Sequence, residues 1–163
     1  MPGVRVFVMD DLQRVLLVKS NYEKRPVCDE FWVAPGGGIE FGEFSIDAGI
    51  REVKEETGIQ TVITHLLWVV EEKMPDGAMN YAHYFLGRAV GGMLKVGSDP
   101  ELPADEQVLL DAAFFTHDEV LSLPRVYPEV LRDEFWDVLN ELPRYEFYRT
   151  RPAPGFGIRR VLR

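Results

Sequence analysis

The sequence predicts an α+β domain of layered, mostly antiparallel strands and two main helices. Three observations predict it. Short apolar runs rich in Val, Ile and Leu recur at strand length through the chain. A single helical pattern follows a glycine cluster in mid-chain, and a second lies near the C-terminus. Such an order fits helices packed on a sheet.

Each element has a local reason. Val4, Val6 and Val8 alternate with Arg5, Phe7 and Met9, the pattern of a strand. Asp10-Asp11 is a turn signal, and Arg14 to Lys19 reads as the partner of a hairpin. The polar stretch Asn21 to Glu30 is a loop, and Phe31 to Ala34 a short strand. Pro35-Gly36-Gly37-Gly38 then breaks regular structure. Ser45 is expected to cap a helix of about twelve residues that Gly58 stops. Thr61 to Lys73 and Asn80 to Val90 read as strands around a turn at Pro75-Asp76-Gly77. Ser98 to Gln107 is an acidic, proline-containing loop, and Val108 to Thr116 another strand. His117 to Leu121 suggests a short helix, and Pro128 to Leu142 one longer amphipathic helix.

The 163 residues carry a formal net charge of −9 and are 46% hydrophobic. That length suits one domain, and the hydrophobic share argues against global disorder. The acidity argues against a long nucleic acid or an anionic membrane as partner, because both are held by Lys and Arg. A lone cysteine, Cys28, excludes an intrachain disulfide and a thiolate zinc site. The first residues lack a signal-peptide pattern, and no apolar run approaches the ~20 residues of a spanning helix. A soluble, cytoplasmic protein is expected.

The chemistry concentrates between Gly37 and Ile59. On a helix, Ile46, Ile50, Val53 and Thr57 share one sector, and Glu52, Glu55 and Glu56 project on the opposite side. One face is therefore expected in the core and the other in solvent with three carboxylates together. Between Glu40 and Glu56 there are six acids and two bases, Arg51 and Lys54. Like charges at i,i+3 and i,i+4 each destabilise a helix by ~0.2–0.5 kcal/mol. Arg51 can bridge to Glu55 but cannot neutralise the set. Hard divalent cations prefer such oxygen ligands and bridge them to phosphates. The glycine-rich entry could add carbonyl ligands or approach a phosphate closely.

This segment resembles the signature of the Nudix hydrolases, G-x5-E-x7-R-E-U-x-E-E-x-G-U, where U is a bulky aliphatic residue. Gly37, Glu43, Arg51, Glu52, Val53, Glu55, Glu56, Gly58 and Ile59 match every specified position. Phe31 to Gly36 also resembles the family's approach to this box. The resemblance implies an α/β/α sandwich, a mixed sheet with the box helix and a C-terminal helix. It implies hydrolysis of a nucleoside diphosphate linked to another moiety, with Mg²⁺ or Mn²⁺. Glu52, Glu55 and Glu56 would be metal ligands, with the Gly37 carbonyl as a further candidate. Glu52 would orient or deprotonate water, Arg51 would hold a neighbouring glutamate, and Glu43 would support the cluster or bind a second metal through water. The class often adds an acid from a later loop, and Glu101, Glu106 and Asp111 are the candidates. The alternative is a catalytically silent nucleotide-sensing or regulatory module of the same fold. Such modules usually lose box residues or carry a DNA-binding domain.

Other features weigh less. Pro75 lies where ADP-ribose-hydrolysing relatives often have a proline, yet Pro75-Asp76-Gly77 is a good turn on its own. Phe31, Trp32, Tyr81 and Tyr84 are candidates to stack on a base, as is Trp68, although aromatics dominate cores generally. His65, His83 and His117 lack ligand spacing. The chain divides into residues 1–142, a hydrolase domain, and 143–163, a basic aromatic tail expected to pack on it. The tail carries net +5, so the body carries −14. Homodimerisation is common among relatives, and such a tail could support it. ADP-ribose, sugar nucleotides, (deoxy)nucleoside triphosphates and dinucleoside polyphosphates all remain open as substrates, and RNA caps are not excluded.

Overall fold

The computed structural model describes residues 2–21, 30–74, 76–97 and 108–142. Cys28, Pro75, Glu101, Glu106 and the 143–163 tail lie outside them. The described strands are β1 (Pro2–Met9), β2 (Val15–Ser20), β3 (Phe31–Val33), β4 (Ile59–Lys73), β5 (Met79–Gly92), β6 (Leu109–Phe115) and β7 (Val126–Tyr127). The helices are α1 (Ser45–Thr57), α2 (His117–Ser122) and α3 (Glu134–Asn140), with a 3-10 turn at Glu129–Arg132. None is long and apolar enough to cross a membrane among the described residues.

The sheet runs β4-β5-β1-β2-β3-β7, with β6 on the other edge of β2. It is mixed. Hairpin neighbours pair antiparallel, but β1 lies parallel to β5 from Pro2↔Tyr81 to Met9↔Arg88, and β3 lies parallel to β7. The alternation in β1 divides the core into two layers. Val4, Val6 and Val8 pack with Ala48 and Val53 of α1. Phe7 and Met9 face the other way, toward Val120 of α2 and Phe135 of α3. Phe7 stacks on Phe135 at 4.8 Å and meets Trp68 edge-on at 6.0 Å.

Several expectations need correction. Phe44, not Ser45, holds the cap position of α1, and it provides no side-chain cap. Gly58 does end that helix in the left-handed region, its N–H donating to Lys54 O. The packed face of α1 includes Val53 and Thr57 of the expected sector but is rotated away from Ile50, with Ile46 packed at its margin. Ala48, Gly49 and Val53 are buried with Glu56, whereas Ile46 and Ile50 are half-buried. A β-carbon on Gly49 would lie 2.9 Å from Val6 Cγ2, so a missing side chain sets how closely α1 approaches β1. The carboxylates therefore border the packed face rather than oppose it.

The segment 128–142 is not one helix. Asp133, at φ −146° and ψ −77°, interrupts it after the 3-10 turn. Its carboxylate accepts from Glu134 N–H at 2.6 Å and so begins α3. A side chain that bonds its own backbone competes with helix continuation here. The three histidines pack as structural residues. His117 Nε2 bonds Arg132 O at 2.9 Å, His83 stacks on Phe85, and His65 Nδ1 lies 3.1 Å from Thr64 Oγ1.

Candidate active site

β1 and β2 separate after Met9↔Val15, and the loop Ala34–Gly37 fills the gap. Val4 N–H donates to Gly37 O and Val6 N–H to Pro35 O, each at 2.9 Å. From the other face of β1, Arg5 Nη1 donates to Ala34 O at 3.1 Å and to Gly36 O at 2.8 Å. This close seam requires glycine at Gly36. Its φ is +148°, and a β-carbon there would stand 2.1 Å from Val4 O.

The loop meets α1 through its carboxylates. Gly36 N–H donates to Glu56 Oε2 at 3.0 Å, and Glu56 is 9% exposed. A β-carbon on Gly37 would lie 2.6 Å from Glu52 Oε1, so the Glu52 carboxylate sits against that glycine. Gly37 O already accepts from Val4, which leaves one lone-pair direction for any further ligand.

Arg51 organises the rest. Its Nε and Nη2 bind the two Glu43 oxygens, each at 3.0 Å. Nη1 donates to Glu52 Oε1 at 2.8 Å and Glu55 Oε2 at 3.1 Å, and Nη2 also donates to Gly38 O at 3.0 Å. The Arg51–Glu55 bridge is the one expected from the sequence. Planar, multiply donating guanidinium suits this task as an ammonium would not. The hydrogen bonds from Arg51 hold the Glu43 carboxyl below the usual range, against the opposing effect of burial.

The donor set fits a hard divalent cation in kind, since every candidate side chain offers carboxylate oxygen. Glu43, Glu52, Glu55 and Glu56 against Arg51 leave an uncompensated negative charge. Among the described residues, however, no three acids converge as a ready cage. Glu52 and Glu55 instead share one arginine nitrogen. Asp111 stands apart on β6, opposite Lys19, and accepts from Ala112 N–H.

Gly37 and Arg5 also line a cavity of about 560 Å³ on the α3 side of the sheet. Phe31, Tyr81 and Tyr84 line it as well, so three of the four candidate aromatics come together. Trp32 does not. It packs edge-on against Phe115 at 4.7 Å. The sequence reading missed Arg5, Glu72, Asn80, Tyr127 and Glu129 as lining residues. A second, open cavity of about 750 Å³ lies between Asp47, Arg51, Lys54 and Glu55 of α1 and the segment Lys95–Gly97. That segment is tied to the end of the helix. Lys95 N–H donates to Thr57 O at 3.0 Å and Gly97 N–H to Glu56 O at 2.7 Å.

Known proteins resemble this chain in sequence and in fold. A NUDIX domain model matches residues 1–150. The chain is 33% identical over 140 residues to "Putative nudix hydrolase 1" of Caenorhabditis elegans, covering 73% of this chain and 36% of that protein. It is 37% identical over 75 residues to "m7GpppN-mRNA hydrolase NUDT17" of Xenopus laevis, covering 45% of this chain and 25% of the relative. Both relatives are thus much longer than the matched region. "ADP-ribose pyrophosphatase" of Methanocaldococcus jannaschii is 27% identical over 128 residues, covering 77% and 68%. In fold, a NUDIX hydrolase from Nitrosomonas europaea superposes with a TM-score of 0.72 at 21% identity, covering 92% and 96%. With the matched signature folded around Arg51 and the family model spanning nearly all of the sequence, the chain belongs to the Nudix hydrolase family.

Proposed function

We propose that the protein is a divalent-metal-dependent pyrophosphohydrolase. It cleaves the phosphoanhydride of a nucleoside diphosphate linked to another moiety. One observation carries this reading. The Arg51-held carboxylates and the aromatic cavity meet at the same residue, Gly37. A nucleotide in the cavity would therefore extend its phosphates past Arg5 toward Glu52.

Glu52, Glu55 and Glu56 would hold Mg²⁺ or Mn²⁺, which when bound neutralises diphosphate charge and activates water. The chain's own residues do the rest. Arg51 restricts the rotamers of Glu43, Glu52 and Glu55. The Gly36 N–H keeps Glu56 oriented. Glu52, beside Gly37, takes the proton of the attacking water at its carboxylate. Phe31 and Tyr81 offer faces to a base. The relatives named as an ADP-ribose pyrophosphatase and an m7GpppN-mRNA hydrolase support the class.

The test is a panel of nucleotide derivatives incubated with purified protein, with and without Mg²⁺, and the products identified. Metal-dependent release of a nucleoside monophosphate or diphosphate is expected. Binding without cleavage across the panel would favour the silent-module alternative.

A further inference from the structure

We infer that Arg5 is a phosphate-binding residue, which takes one phosphate of the substrate on its Nε and Nη2 edge while the carboxylates around Arg51 act on the other. This deepens the proposed hydrolase and rests on the Gly37 cavity being its substrate pocket.

Arg5 is anchored at one nitrogen and open at the other two. Its Nη1 donates to two main-chain carbonyls, Ala34 O at 3.1 Å and Gly36 O at 2.8 Å. A guanidinium carries five N–H donors, two of them on Nη1. The two anchoring bonds therefore leave the Nε–H and both Nη2 hydrogens. No carboxylate comes within ion-pair distance of Arg5 among the described residues. Yet the chain holds 27 acids against 18 lysines and arginines. Arg5 is half-buried, so its charge is partly withdrawn from water with only neutral carbonyls as partners. Such withdrawal is costly unless an anion completes the pair.

Arg51 shows what the open edge suits. There the same Nε and Nη2 hold the two Glu43 oxygens, each at 3.0 Å. In Arg5 that edge meets no acceptor among the described residues, and Arg5 lines the cavity. Two parallel N–H groups match two oxygens of one carboxylate or phosphate. Anchoring through Nη1 also orients the guanidinium plane, so little freedom is left to lose on binding.

Placement favours phosphate. Gly37 lines the cavity together with Arg5, and the Glu52 carboxylate sits against that glycine. A diphosphate has two anionic centres joined through one oxygen, so it can meet both sites. Glu72 and Glu129 also line the cavity, but both are exposed and water screens them. They disfavour an anion elsewhere in the cavity. Arg5 is the one cation among the described lining residues, so its edge is where an anion is held.

The experiment titrates the full chain with inorganic pyrophosphate in EDTA, by calorimetry, for the natural sequence and Arg5→Met. Without a divalent metal the carboxylate cluster repels pyrophosphate, so binding reports on Arg5. The natural protein is expected to bind, and Arg5→Met to lose about tenfold or more in affinity. The Arg5 Nε–H resonance of the natural protein should shift in the same titration, a readout that does not depend on the variant folding. Absent binding by the natural protein, an unshifted Nε–H or equal affinity in folded Arg5→Met would each overturn the inference. Kinetics separate binding from bracing of the loop. With ADP-ribose or dGTP, whichever is cleaved, Arg5→Met should raise KM about tenfold while half-saturation by Mg²⁺ stays within about twofold. A lower kcat at unchanged KM would make Arg5 a brace only, against the inference. If pyrophosphate binds through Arg5 but no nucleotide of the panel is cleaved, the phosphate site stands and the proposed hydrolase falls. If nucleotides are cleaved and Arg5→Met binds pyrophosphate normally, the hydrolase stands and the Arg5 assignment falls.

Discussion

Gly36→Ala should be among the most damaging single substitutions in this protein. The β-carbon would stand 2.1 Å from Val4 O and 2.9 Å from Arg5 Cα, both main-chain atoms that no rotamer can move. Relief requires the loop to lift from β1. Lifting breaks the bonds Val4 N–H to Gly37 O and Val6 N–H to Pro35 O, at a cost of about 1–3 kcal/mol for the two. An alanine at φ +148° adds about 1–3 kcal/mol of backbone strain. A loss near 4 kcal/mol is expected, against a total stability of about 5–15 kcal/mol. Gly38→Ala is the control, because a β-carbon there meets nothing within 4 Å and its φ lies outside the left-handed range. Urea denaturation of both variants measures the difference, and thermal unfolding should show a fall of roughly 10 °C for Gly36→Ala. Should Gly36→Ala unfold at the same urea concentration as Gly38→Ala, the seam between loop and β1 does not carry the load described.

Other predictions follow from the same geometry. Gly37→Ala would set a β-carbon 2.6 Å from Glu52 Oε1, a flexible side-chain end. It should lower turnover at least tenfold while stability changes by less than about 1 kcal/mol, since only a side chain must move; unchanged turnover would refute the placement of Glu52. Glu43 has a depressed folded-state pKa, so its contribution is full above its unfolded value near 4.5 and is lost as pH falls through the lower folded value. Glu43→Gln should therefore be less stable than the natural protein at pH 7, with the gap closing as pH falls through the lowered folded-state pKa of Glu43. A gap that persists in acid, followed by denaturation across pH, would show that ionisation of Glu43 is not its source. Arg51→Lys should lose most of the Glu43, Glu52 and Glu55 contacts and cut turnover about a hundredfold, because one ammonium cannot reproduce the fork.

What the sequence revealed depended on range. The strands of β1, β2, β4 and β5 were legible because their apolar alternation is local. The parallel pairing of β1 with β5 joins Pro2 to Tyr81 and has no local signature. The break at Asp133 was hidden because Leu131 and Phe135 keep helical spacing across it. The site's carboxylates were legible because their spacing is itself the motif. Their orientation was legible only in part: Val53 and Thr57 are buried as expected, but Ala48 and Gly49, not Ile50, complete the packed face and bring Glu56 into it. Arg5 read as the polar member of an alternating strand, and only the fold brings it to Gly36 and Tyr84. One signal was available and unused. Thr116 and Glu119 form a capping box that starts α2.

The central claim is that the carboxylates gathered at Arg51 and Gly37 perform hydrolysis. Turnover of a cleaved nucleotide by Glu52→Gln and Glu56→Gln, titrated with Mg²⁺ and compared with the natural protein, tests it most directly. The account predicts a loss of at least a hundredfold in both variants with native circular dichroism retained. Near-natural turnover by both would contradict it.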